Sequence, residues 1–298
     1  MLPLAGIVPS LNTPFTTDDR IDEPAMGRLV DYCVQAGCGG LLALAVAGEA
    51  RSLTPDEHRR VLDAVMARSQ GRSPVVVGVS APGIAASVAR ARLAATASAF
   101  AVLWQPPAGL REEELELALI ELGEAGPGPV VLQDLDWSGT GLPVEVIARL
   151  FERVPAFRAI KIETVHAGPK YTAVLEATGG RLHVSGGWAV TQMLEALDRG
   201  VHAFMPTGME GIYCEIYRQF SDGRIDGARD LFEAALPPLV FANQYIDVSI
   251  RFFKHLRVIT GLFATDRCRP PVAPLDRFQQ RTAERLASYA QALEARIA

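Results

Sequence analysis

Lys161 stands between two isoleucines in "FRAIKIETVH" (157–166), a run otherwise suited to a buried strand. Lysine is seldom fully buried without a partner, because stripping water from its ammonium is costly and the group tends to give up its proton instead. A neutral amine in a dry pocket is a nucleophile that can condense with a ketone, and the resulting imine serves as an electron sink. With a strand period of two, Ala159, Lys161 and Glu163 share one face, while Ile160 and Ile162 share the other. The competing reading is electrostatic: Lys161 paired with Glu49 or Glu163 in a closed interior, doing no chemistry.

Such a strand needs neighbours. Short apolar runs begin at Gly6, Gly39, Pro74, Phe100, Pro129, Phe157, Arg181 and Val201, and most are hydrophobic without alternation. Strands of that kind are covered on both faces, as in parallel sheets. Helical patterns lie between them. "TPDEHRRVLDAVMARS" offers Thr54 as N-cap, Pro55 at the first helical position and Glu57 three residues after the cap. Glu112, Glu113 and Glu114 load the first turn of the next but one, and Gly200 ends "AVTQMLEALDRG" as a C′ residue. Eight strand–helix units predict an α/β fold, a (β/α)8 barrel over residues 1–210. Residues 211–298 then form its last helix and a helical C-terminal extension. No GxGxxG or Walker A motif supports an open doubly wound sheet.

Composition narrows the function. The chain has 298 residues, 49% apolar and 21% charged, with a net charge of −5 and no basic block, which argues against nucleic acid as a partner. No apolar run approaches the roughly 20 residues that span a bilayer, and "MLPLAGIVPS" lacks the charged start of a signal peptide. Cys33, Cys38, Cys214 and Cys268 form no CxxC pair, so neither structural zinc nor a disulfide framework is expected, and a cytoplasmic location suits them.

In a barrel, chemistry belongs at the C-terminal strand ends. Those ends carry Gly48 and Glu49, Gln133 and Asp134, Lys161 and Glu163, "SGGW" and "PTGMEGIY". The "GE" after strand two, the "K-x-E" of strand six, "SGG" after strand seven and a three-helix tail resemble the dihydrodipicolinate synthase / N-acetylneuraminate lyase family. The resemblance runs from "GIVPSLNTPF" to "RPPVAPLDRF". It implies a class I lyase without metal or organic cofactor. A 2-oxo acid would be held as a Schiff base on Lys161, in a homo-oligomer (dimer or tetramer). Gln133 and Glu49 would assist catalysis, and Ala47, Gly48, Asp134, Glu163, Gly186 and Phe204 would line the substrate.

Departures from the family pattern refine this expectation. "AVAGE" stands where the family has "GTTGE", so Val46 and Ala47 replace two threonines. Gln133 replaces the tyrosine acid–base, and a glutamine cannot shuttle a proton near neutral pH. The aromatic pair after strand four gives way to Pro107 and Ala108, and "DLDWSGTG" lacks the arginine that would hold an aldehyde's carboxylate. The variant "QD" with "KIET" is similar to 2-keto-3-deoxy sugar-acid dehydratases such as 2-keto-3-deoxyarabonate dehydratase. That implies dehydration or aldol cleavage, with Glu49, Asp134, Glu163, His166, Tyr213 or a water replacing the tyrosine. A pyruvate-dependent aldolase is the rival within the class, and a silent metabolite-binding barrel is the rival outside it.

Other signals carry less. "DLDWSGTGLPVE" (134–145) has the spacing of a calcium loop, but a strand rather than a helix precedes it. His58 reads as a surface residue of an amphipathic helix, and His183 and His202 as structural residues at the starts of strands. Trp188 and Tyr213 could line a pocket mouth, and Cys214 reads as a small apolar filler.

Overall fold

The computed structural model describes residues 2–297. The parallel strands are β1 (Gly6–Ile7), β2 (Leu41–Ala43), β3 (Val75–Gly78), β4 (Ala101–Trp104), β5 (Val130–Asp136), β6 (Phe157–Thr164), β7 (His183–Gly186) and β8 (Ala203–Phe204). They form one eight-stranded sheet in the order β1-β8-β7-β6-β5-β4-β3-β2. A parallel bridge between Ser10 and Leu42 links the chain just past β1 to β2, and Leu42 donates to Pro9 while Leu11 donates to Leu42, both at 2.9 Å. All eight strand candidates are present, and the sheet is curled.

Alternation sorts its side chains into two layers. Leu42, Val76, Leu103, Val131, Ala159 and Met205 fill the inner layer. Ile160 and Ile162 join Phe157, Phe204 and the helices in the outer one. The helix between β2 and β3, α2 (Pro55–Ser69), begins as its sequence predicts: Thr54 caps it and Glu57 closes a capping box. His58 corrects an expectation. It falls on the same helix face as Val61, Leu62 and Val65, is buried, and its Nε2 lies 2.7 Å from the Ala50 carbonyl. Burial, then the nearby Arg90, lowers its pKa.

After β8 come α8 (Glu210–Ser221), α9 (Ile225–Ala242), α10 (Ile246–Ile259) and α11 (Arg277–Glu294). Helix α10 ties this tail to the sheet. Its Lys254 is fully buried, pairs with Glu49 after β2, and donates to the Arg267 carbonyl at 2.7 Å. Burial pulls the Lys254 ammonium below its usual range while Glu49 opposes that shift. Arg257, one turn on, pairs with the buried Glu210 of α8. No helix among the described residues is long and apolar enough to cross a membrane.

The opposite end of the sheet supplies a pH prediction. His183 at the start of β7 is fully buried, stacked on His202 with ring centroids 4.9 Å apart, and its Nε2 reaches the Leu4 carbonyl at 2.7 Å. Burial drives its pKa to about 4, although the Leu4 contact opposes the shift. Below about 6.5 the unfolded chain takes up a proton that the folded chain refuses until about pH 4. Stability is therefore full above that window and lost as pH falls through it. Between pH 7 and pH 5 the loss from His183 is about 2 kcal/mol. Urea unfolding midpoints at the two pH values measure it, and His183→Gln should flatten the slope.

Candidate active site

Strand register brings the reactive groups together. Gln133 of β5 stands opposite Lys161 of β6, Leu135 opposite Glu163, and Lys161 opposite Ser185 of β7. Lys161 and Glu163 point to the inner side, as their alternation with Ile160 and Ile162 requires. Lys161 Nζ lies 2.9 Å from Glu163 Oε2, and Gln133 Nε2 donates to that same oxygen at 2.6 Å. Lys161, Glu163 and Gln133 are only 5%, 7% and 2% exposed, so the pair sits in a medium that strengthens its attraction and penalises any unpaired charge.

A hollow adjoins the pair. It offers about 40 Å³ to the centres of water molecules, room for about three of them. Val46, Leu135, Val190 and Met205 give it apolar walls, and Trp137 and Trp188 stand over it. Helices α8 to α10 close one side with Tyr213, Asn243, Ser249 and Phe253. The Tyr213 hydroxyl is buried against this space without a hydrogen-bond partner. Burial, helped by Glu210, holds the phenol well above its ordinary pKa, so it remains a donor.

Gly187 makes the arrangement possible. A Cβ there would stand 2.2 Å from Glu163 Oε1 and 2.9 Å from Lys161 Cε, closer than atoms can approach. Gly187→Ala should displace both groups and cut turnover by about 100-fold, the scale of a misplacement of about 1 Å. Steady-state kinetics on the folded variant, with thermal unfolding as a control, checks this.

Of the residues expected at the site, Lys161, Gln133, Glu163 and Ala47 line the hollow. Five others do not. The Glu49 carboxylate is taken by Lys254 and by the Arg269 amide at 2.8 Å. Asp134 turns to Lys170 Nζ at 2.5 Å and accepts from Leu142 N at 2.9 Å. Gly48 is held by Thr13, whose hydroxyl donates to its carbonyl at 2.6 Å. A Cβ on Gly186 would point away, toward the Tyr171 hydroxyl, so the inward glycine is the next one along. Phe204 belongs to the outer layer, and Met205 takes the inward position.

His166 is exposed in a left-handed conformation before α6 (Ala167–Ala177), away from the hollow. The calcium-loop spacing does not converge either: Asp136 accepts from Ser138 while Asp134 faces Lys170. Among the described residues no cluster of three histidine, cysteine or acidic side chains could hold a metal ion. Ser10, Thr207, Asn243, Ser249 and Lys170 were not foreseen. Thr207 had a signal in its place within "PTGMEGIY" after the eighth strand, and Lys170 as a lysine amid apolar neighbours on α6.

Comparison with known proteins places the fold in a family. The model of the dihydrodipicolinate synthetase family matches residues 3–290. The 4-hydroxy-tetrahydrodipicolinate synthase of Salinibacter ruber is 29% identical over 238 residues, 78% of this chain and 79% of that protein. The L-2-keto-3-deoxyarabonate dehydratase of Azospirillum brasilense is 29% identical over 281 residues, 91% of this chain and 89% of that one. The crystal structure of dihydrodipicolinate synthase from Rhodopseudomonas palustris superposes with a TM-score of 0.87 at 27% identity, covering 97% of this chain and 99% of its own. This chain belongs to the dihydrodipicolinate synthetase family.

Proposed function

We propose that this chain is a class I lyase acting on a 2-oxo acid through an imine on Lys161, as a dehydratase or aldolase of 2-keto-3-deoxy acids. Sugar-derived acids are the first to test. The observation that carries this reading is a buried lysine, addressed by one carboxylate, beside a hollow with room for about three waters. We take the bridge between Ser10 and Leu42 as closing a (β/α)8 barrel over residues 1–210, with residues 211–298 as its last helix and extension. A cytoplasmic homo-oligomer is part of the same proposal.

Glu163 takes the place of the missing tyrosine. Its Oε2 accepts the ammonium proton of Lys161, freeing the amine to attack the C2 ketone, and returns the proton to the C2 hydroxyl, which leaves as water. Gln133 holds that oxygen in position through its 2.6 Å hydrogen bond. Loss of a C3 proton then gives an enamine. From it the C4 hydroxyl departs, protonated, as water, leaving an unsaturated iminium. In cleavage no C3 proton is lost: the C4 hydroxyl proton is instead removed from the first iminium, and the C3–C4 bond breaks to release an aldehyde. The enamine left behind takes a proton at C3. Water hydrolyses the remaining iminium and restores the amine. Val46 and Ala47 receive the substrate carboxylate, with the Thr207 and Tyr213 hydroxyls as donors.

A barrel that only binds a metabolite would also tolerate the Lys161–Glu163 pair. Product analysis with a panel of 2-keto-3-deoxy acids separates the readings. A dehydrated 2-oxo acid or a pyruvate-plus-aldehyde pair supports the lyase; unchanged substrate throughout refutes turnover.

A further inference from the structure

The mouth of the site is built differently from its floor. Beyond the hollow lies an outer chamber of about 690 Å³, which shares Val46, Leu135, Trp137 and Ile246 with it. Its other walls include Ile250, Val272 and Tyr245. Trp137 is 41% exposed and Tyr245 57%, two large rings side by side rather than scattered singly. The Trp137 ring stacks on Trp188 at 5.2 Å and meets Tyr245 edge-on at 6.5 Å, so one indole face is braced from behind while other aromatic surface is left open.

The loop that carries Trp137 is fixed at both ends. Asp136 accepts from Ser138 N at 3.0 Å and from Gly141 N at 3.3 Å. Asp134 accepts from Leu142 N at 2.9 Å and holds Lys170. The two acids are thereby spent on orienting the loop, and a platform set before binding loses little freedom when a ligand arrives. Charge points the same way. Arg51 is the single cation among the described residues lining the chamber, against Asp136 and Asp247, and Glu49 is already paired. A second carboxylate or a phosphate would find no net attraction there.

We propose that the outer chamber is a subsite for a flat, uncharged aromatic group attached at C4 of the 2-oxo acid and stacked on Trp137. This rests on Lys161 as the imine-forming residue. The trapping that tests it needs no turnover. Four acids are mixed with the protein and reduced by borohydride within seconds: 2-oxo-4-phenylbutanoate, pyruvate, 2-oxoglutarate and 2-keto-3-deoxypentonate. The concentration giving half-maximal adduct is read by intact mass.

The phenyl compound should be trapped at a concentration at least about tenfold below each of the others, about 1.4 kcal/mol of preference. Trp137→Ala should bring that ratio to within about threefold, and Trp137→Phe should keep most of it. Trapping of pyruvate with no preference for the phenyl acid overturns the subsite and leaves the lyase standing. An unchanged preference in Trp137→Ala overturns the role of the platform. Failure of every acid to be trapped removes the imine, and the subsite with it.

Discussion

Lys161→Ala is expected to lose turnover by a factor of about 10⁴ to 10⁶, the range seen when a covalent nucleophile is removed from a working site. The inner side of the sheet offers no substitute. Lys254 is committed to Glu49 and the Arg267 carbonyl, and Lys170 to Asp134 and Thr140. The fold should survive, because alanine leaves Glu163 with the Gln133 donor at 2.6 Å and a space that water can enter. Retained far-ultraviolet dichroism beside lost turnover distinguishes a chemical defect from an unfolded chain.

Glu163→Gln is the second large effect, expected to slow turnover by about 10²–10⁴-fold, the usual contribution of general acid–base help. The amide keeps the size of the side chain but cannot take the proton from Lys161 Nζ, 2.9 Å away. It also places an NH₂ near that of Gln133, which now donates to the carboxylate. The prediction has a direction that a merely structural acid would not share. Imine formation should become slower, yet added hydroxide should restore part of it by doing the proton transfer that Glu163 no longer does. Rates of borohydride trapping across pH, compared with the parent protein, measure this; equal rates at every pH would remove Glu163 from the chemistry.

What could be read from the sequence was what depends on local period. Alternation in β6 placed Lys161 and Glu163 on the inner face, and continuous apolar runs gave the eight parallel strands. The same rule sorts two further pairs of neighbours. In β8, Ala203 and Met205 are inward and Phe204 outward, and the inward glycine past β7 is Gly187 rather than Gly186. Helix α2 likewise announced the burial of His58 through Val61, Leu62 and Val65 at helical spacing.

The rest depends on long-range meetings that no local pattern records. Glu49 and Lys254 are far apart along the chain, so the carboxylate expected in the site gave no sign that α10 would claim it. The partner of Asp134 was hidden for the same reason, since Lys170 approaches it from α6. Asn243, Ser249 and Phe253 come from the tail, at the end of α9 and on α10. Tyr213 apart, the residues delivered by helices packed from outside could not be guessed.

The most direct measurement is borohydride reduction of the intact protein with pyruvate, followed by peptide mapping. One added three-carbon acid on the peptide bearing Lys161, absent from Lys161→Ala, is the expected result. A protein that gains no mass with pyruvate or any other 2-oxo acid, or gains it on a different lysine, would contradict the imine.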